Sequence, residues 1–316
     1  MKTLLKVSKV IQGNFAIFTV VLAALGYFFP GLFAWAGPHT TLFMGIVMFG
    51  MSMTMSASDF KALVVKPKAT IIGIFLVYAL SSAVTYVAVM ALHLPMDLSV
   101  GLILCAACPG GVITNVMTFI ANGDVALSVG LTSIGTIIAP IVTPALAFLM
   151  VGKWTEVDAV SMMVSMFKSV VLPLLIGLSL KAVMKEKLKK VEEAAPLLSL
   201  LSLSVIIGAI VARNGKALFT CNVLIFAACL LYILLPLVGS YYASRIAGIS
   251  VVQSRTIAIE TSLKNSILAS TLASANFTDL PGAALPGVIV ALLASIIGPV
   301  IANIWHKKDE NGEHAV

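Results

Sequence analysis

The feature that most constrains this chain is the recurrence of apolar runs, each about 20 residues long, separated by short polar or proline-containing links. A helix of that length matches the ~30 Å hydrocarbon core of a bilayer. The runs are apolar all round rather than alternating at period 2, so helices are expected and a transmembrane barrel is not. Ten spans are expected, at residues 13–29, 40–55, 69–92, 98–121, 125–150, 159–183, 197–211, 218–243, 251–275 and 287–304. Charged residues make up only 10% of the 316, where a soluble domain carries about 25%. The fold class is therefore an all-α membrane protein. The first run follows Lys2–Lys9 without a small-x-small cleavage site, so it reads as a retained span rather than a signal peptide.

The positive residues set an orientation. With the N-terminus inside, 15 of the 20 Lys and Arg residues fall on inner segments, and Lys153, Arg213 and Lys216 fall outside. That bias places both termini on the cytoplasmic side. The pI of 9.2 reflects these run ends, and with no basic domain a nucleic-acid partner is not expected.

Two spans are interrupted. The fourth meets Pro109-Gly110-Gly111 and resumes near Thr114-Asn115; proline removes a backbone donor and glycine loosens the helix. The ninth carries Glu260-Thr261-Ser262-Leu263-Lys264-Asn265-Ser266. Glu260 is the only acid in any membrane-length run, and Lys264 follows at i+4, so on a continuous helix the two would share a face and pair. A charge at bilayer depth costs several kcal/mol unless paired or wetted, and so marks a candidate functional site. Asn265 is a good N-cap for a second half-helix, as Asp124 is for the fifth span.

The halves, 1–152 and 153–316, look related. Each holds five spans with the fourth broken, and Ile137-Ile138-Ala139-Pro140 is matched by Ile296-Ile297-Gly298-Pro299. An odd number of spans per half inverts one half relative to the other. Inverted repeats with paired broken helices point to a secondary transporter with its site at the midplane. Half-helix N-termini present backbone N–H groups and a positive dipole end, which suits an anion. The substrate-binding set is accordingly Ile113, Thr114, Asn115, Asn265 and Ser266. The oxygen-bearing Thr114, Asn115, Ser128, Thr132 and Glu260 suit a hard cation such as sodium.

Plainer readings stand beside these. Serine and threonine also hydrogen-bond between membrane helices, and Glu260–Lys264 also serves as a structural ion pair. Lys168, about ten residues into the sixth span, reads as a snorkelling side chain or the lining of a wet groove. Met44, Met48, Met51, Met53 and Met55 read as flexible packing, and Cys105, Cys108, Cys221 and Cys229 as small buried hydrophobes. No His cluster or Ser/His/Asp arrangement supports an intramembrane enzyme, and repeated half-helices favour a carrier over a channel.

Met48-Phe49-Gly50-Met51, Cys108-Pro109-Gly110-Gly111, Thr114-Asn115-Val116-Met117, Gly123-Asp124-Val125-Ala126-Leu127-Ser128, Ile259-Glu260 and Asn265-Ser266 together resemble the bile acid:sodium symporter family, in its bacterial branch related to the apical sodium-dependent bile acid transporters. The resemblance covers nearly the whole chain. It implies a panel domain (spans 1, 2, 6, 7) and a core domain (spans 3–5 and 8–10) that work as an elevator. It also implies cargo such as bile acids or small carboxylates like pantoate. The implied first sodium site is Thr114, Asn115, Ser128, Thr132 and Glu260. The second site's two glutamines are replaced by Val77 and Lys264, and a histidine–asparagine pair of bile acid carriers by Ala294-Ser295. The expectation is therefore an organic-anion carrier, acting as a monomer in the lipid bilayer and needing no cofactor, in which Lys264 replaces the second sodium. Transport would be sodium-independent or reduced in sodium coupling. The alternative is a symporter using the first sodium site only.

Overall fold

The structure, a computed structural model, describes residues 15–55, 65–111, 113–184, 189–220 and 223–310. Every regular element among them is helical. In chain order these are α1 (Phe15–Phe28), α2 (Thr40–Thr54), α3 (Pro67–Leu92), α4 (Met96–Ala107), α5 (Ile113–Ile120) and α6 (Val125–Val151). There follow α7 (Ala159–Met184), α8 (Lys189–Thr220), α9 (Val223–Ile246), α10 (Val251–Ser262), α11 (Ser266–Asn276) and α12 (Leu285–Glu310).

Seven stretches among the described residues are long and apolar enough to cross a bilayer: Pro30–Met53, Pro67–Leu92, Val125–Val151, Ala159–Met184, Leu197–Gly215, Val223–Ile246 and Pro281–Lys307. The described part of α1 and the half-helices α4, α5, α10 and α11 are shorter than that. Where α4 gives way to α5 and α10 to α11, the freed backbone groups must find partners within the protein, and they do so against one another, as described below.

Local sequence sets the helix starts. The side chains of Asp124, Asp158, Ser250 and Asn265 each accept the N–H three residues on, capping α6, α7, α10 and α11. Pro67 occupies the first turn of α3, where its missing donor costs nothing. The charged stretch 185–193 before Pro196 reads from sequence as a linker between the sixth and seventh spans; residues 185–188 lie outside the described residues, but 189–193 already belong to α8, which runs on through position 196. Lys, Glu and Ala are strong helix formers, and propensity wins over the proline as a boundary signal.

Packing sorts the helices. Close glycine approaches join α1 to α8 (Gly26 on Gly208) and α2 to α8 (Gly50 on Ala195 and Ser199), the small-residue contacts that let membrane helices meet. Lys181 donates to the Met53 and Met55 carbonyls at 2.6 and 2.8 Å, fastening α7 to the end of α2. Elsewhere α4 is buried around its circumference from Leu98 to Ala107, and α10 from Ser254 to Ser262. These two helices lead into the breaks. Lys66 and Asp124 form an ion pair, and the Thr256 hydroxyl accepts the Asp124 N–H at 2.8 Å. Together they tie α3, α6 and α10.

Candidate functional site: two charges at a double helix break

The breaks after α4 and α10 lie against each other. Gly110 and Lys264 form an isolated antiparallel bridge. The Asn265 N–H donates to Pro109 O at 2.9 Å, and the Gly111 N–H to Leu263 O at 3.1 Å. Each unwound strand thus satisfies backbone groups the other has freed. The glycines make this approach possible. A Cβ on Gly110 would collide with Glu260 Oε2, and one on Gly111 would sit 3.2 Å from Lys264 O.

Glu260 is fully buried, and α5 and α6 surround it with hydroxyls. Thr114 Oγ1 donates to Oε1 at 2.5 Å, Ser128 Oγ donates to the same oxygen, and Thr132 Oγ1 lies 3.0 Å from both Oε1 and Oε2. Ser128 Oγ also lies 2.9 Å from Asn115 Oδ1, and Thr114 Oγ1 2.6 Å from Gly111 O. A hydroxyl carries one proton. Three such protons face a carboxyl group with two oxygens, an amide oxygen and a carbonyl, so the cluster is rich in acceptors. That donor set fits a hard cation. The five residues read from sequence as a cation site, far apart in the chain, are brought together here. Thr118, which donates to Ser128 at 3.3 Å, was not anticipated.

Lys264 corrects an expectation. It does not pair with Glu260 at i,i+4, because α10 ends at Ser262 and the lysine lies in the unwound segment. Its Nζ turns instead into three backbone carbonyls: Val77 O, Ala106 O at 3.1 Å and Cys108 O at 3.0 Å. The Tyr78 ring stands 5.3 Å from the same Nζ, within cation–π range, and the Tyr78 hydroxyl is anchored on Gly135 O at 2.7 Å. An ammonium has three donors, and three acceptors meet it. Val77 therefore contributes an oxygen despite its apolar side chain. It does so from a π turn, Leu76–Leu80, that interrupts the regular ladder of α3; single π turns of this kind recur at functional sites.

Among the residues read as substrate-binding, Thr114 and Ser266 are buried, while Ile113, Asn115 and Asn265 are partly accessible. Asn265 Oδ1 accepts the Leu268 N–H at 3.1 Å as the cap of α11. Ala294 and Ser295 are both buried in α12, with the Ser295 hydroxyl on Leu292 O at 2.7 Å.

Long apolar helices, two paired breaks and buried opposite charges at their junction are the features of a multi-pass membrane transport protein. The Sodium Bile acid symporter family profile matches residues 41–221. The chain is 37% identical over 303 residues to the "Uncharacterized sodium-dependent transporter YocS" of Bacillus subtilis (strain 168), covering 96% of this chain and 94% of that protein. It is also similar to the "Probable sodium/metabolite cotransporter BASS1, chloroplastic" of Arabidopsis thaliana, at 34% identity over 95% of this chain and 75% of that protein. The rice protein of the same name is 31% identical over 98% of this chain and 76% of its own length. The chain belongs to the sodium bile acid symporter family. It is a transporter and not an enzyme.

Proposed function

We propose that the protein is a secondary-active carrier of organic anions in which Lys264 permanently fills the place of a second coupling cation. The observation that supports this reading is the three-carbonyl shell around the Lys264 ammonium. Oxygen shells of that kind bind hard cations. Here the positive charge is tethered to the chain, so it neither enters nor leaves during a transport cycle. Coupling then falls to the Glu260 cluster, and transport uses one sodium ion or none. The one-sodium case is supported by the acceptor-rich Glu260 shell, by a relative named a sodium-dependent transporter and by others named probable sodium/metabolite cotransporters.

The architecture proposed for this activity is ten spans in two inverted repeats, 1–152 and 153–316, with both termini cytoplasmic in a bacterial inner membrane. The α4–α5 and α10–α11 pairs are its fourth and ninth spans. A panel of α1, α2, α7 and α8 would face a core of α3–α6 and α9–α12, the core carrying both charges as it moves in elevator fashion. The protein would act as a monomer. The anion, bile acid-like or a small carboxylate, would bind at the N-terminal ends of α5 and α11. There Ile113, Asn115 and Asn265 are accessible, Thr114 and Ser266 lie just behind, and the helix ends favour negative charge.

Uptake and counterflow of labelled organic anions in proteoliposomes test this. The reading expects saturable uptake with counterflow that weakens in Asn115→Ala and Asn265→Ala while the fold persists. Non-saturable flux without counterflow would mean a channel, and anion transport unchanged in both variants would mean that the site lies elsewhere.

A further inference from the structure

We infer that the outer side of α2, α7 and α8 carries a binding groove for one anionic phospholipid, separate from the transport site. The groove, about 530 Å³, has His39 at its upper end and Lys168 along one wall. The remaining lining is chiefly apolar and includes Leu42, Phe49, Ile176 and Leu198, and no acidic residue contributes to it.

Lys168 lies within the apolar length of α7, and its surroundings contrast with those of Lys264. Lys264 has three acceptors; Lys168 is exposed and makes no hydrogen bond or ion pair with any described residue. The fold nevertheless shapes this place. Lys168 is the second residue of a π turn, Phe167–Val171, and the Ser169 hydroxyl at the centre of that turn is buried without a partner. Opposite stands Gly45, whose missing side chain lets α7 approach, a Cβ there lying 3.2 Å from Pro173.

Dimensions and charge together select the occupant. Gly45 faces Lys168 and Pro173, while Gly177 faces Ser52, so α2 and α7 run parallel along the groove. From His39 to Phe49 the helical rise is about 15 Å, half of the ~30 Å hydrocarbon core and hence the depth of one leaflet. Lys168 stands opposite Gly45, roughly 9 Å below His39 by the same rise. A lysine stem extending upward places its ammonium between the two. A phosphate held there by Lys168 and His39 would lay an acyl chain along Phe49, Ile176 and Leu198, in a groove that opens toward the bilayer. The cation meets an anion and the apolar floor meets hydrocarbon.

The experiment is native mass spectrometry of the full chain released from micelles containing equal phosphatidylglycerol and phosphatidylcholine, with dodecyl phosphate as a separate soluble probe. Wild type should retain phosphatidylglycerol over phosphatidylcholine by about tenfold, the scale of one charge-assisted contact. Lys168→Gln should abolish the preference and Lys168→Arg should keep it. Leu42→Trp, at an exposed position, should lower retention of both lipids by filling the groove. Equal retention of phosphatidylglycerol by wild type and Lys168→Gln overturns the inference. So does Lys168-dependent binding of dodecyl phosphate without retention of phosphatidylglycerol, which would make the groove a site for soluble amphiphiles.

Discussion

Glu260 and Lys264 are four residues apart, both buried, and solvated in opposite ways. The carboxylate is held by side-chain hydroxyls of α5 and α6. The ammonium is held by main-chain carbonyls of α3 and α4. A hydroxyl rotates about one bond and turns its lone pair to a cation or its proton to a carboxylate, so the Glu260 shell adapts to ion entry and loss. A main-chain carbonyl fixed by the helix around it cannot turn away, and three of them match an ammonium donor for donor. Under the proposed function, the first shell would exchange its occupant, and the second would stay closed by a covalently attached charge.

The largest effect expected from breaking this contrast is in Lys264→Ala. It strands three buried carbonyls, each costing about 1–3 kcal/mol when left without a donor. Thermal unfolding of the detergent-solubilised protein would show it as a large drop in Tm. A Tm unchanged from wild type would mean that the carbonyl shell does not hold the lysine.

Gly110→Ala should come next. Its Cβ must displace the Glu260 carboxylate, and overpacking of a close site costs about 1–3 kcal/mol. Because the clash is with Oε2, cation dependence should suffer more than the fold. Sodium-induced protection in a thermal-shift assay should vanish even where the apo protein stays folded, and preserved protection would argue that the break is looser than described.

Thr132→Val keeps the shape and removes one hydroxyl that bonds to a charged group, an interaction worth about 1.5–3 kcal/mol. It should raise the sodium concentration for half-maximal uptake by tenfold or more, while Thr132→Ser should stay near wild type. Equal behaviour of the two variants would remove the hydroxyl from the ion shell.

Asn265→Ala has the smallest expected cost, about 1 kcal/mol for a lost N-cap. Asn265→Asp sharpens the point: it keeps the cap, so stability should return, yet places negative charge beside the expected anion. Stability restored with anion uptake still impaired separates the two roles, and recovery of both would assign Asn265 to capping alone.

The Glu260 shell was legible in the sequence because its members are polar side chains standing out in apolar runs. Thr114, Asn115, Ser128 and Thr132 could be proposed one by one before any coordinates placed them together. The Lys264 shell was not legible, since Val77, Ala106 and Cys108 contribute only main-chain oxygens, which every residue has. The i,i+4 pairing failed for a related reason: spacing rules hold on a continuous helix, and α10 stops two residues before the lysine. Tyr78 offered the one usable signal, a polar ring beside Val77 within an apolar run. Helix punctuation was mostly readable through Asp124, Asn265 and the Pro109-Gly110-Gly111 break. The start of α8 was not, since a charged stretch of good helix formers reads equally as linker and as helix.

The central claim, that one of two cation places is closed by Lys264, is tested most directly by titrating sodium against anion uptake in proteoliposomes with potassium or choline as replacement. The account predicts either uptake that persists without sodium or a sodium dependence with a Hill coefficient of about 1, since that coefficient cannot exceed the number of interacting sites. Uptake that collapses without sodium and rises with a Hill coefficient of about 2 would require two exchangeable ions and contradict it.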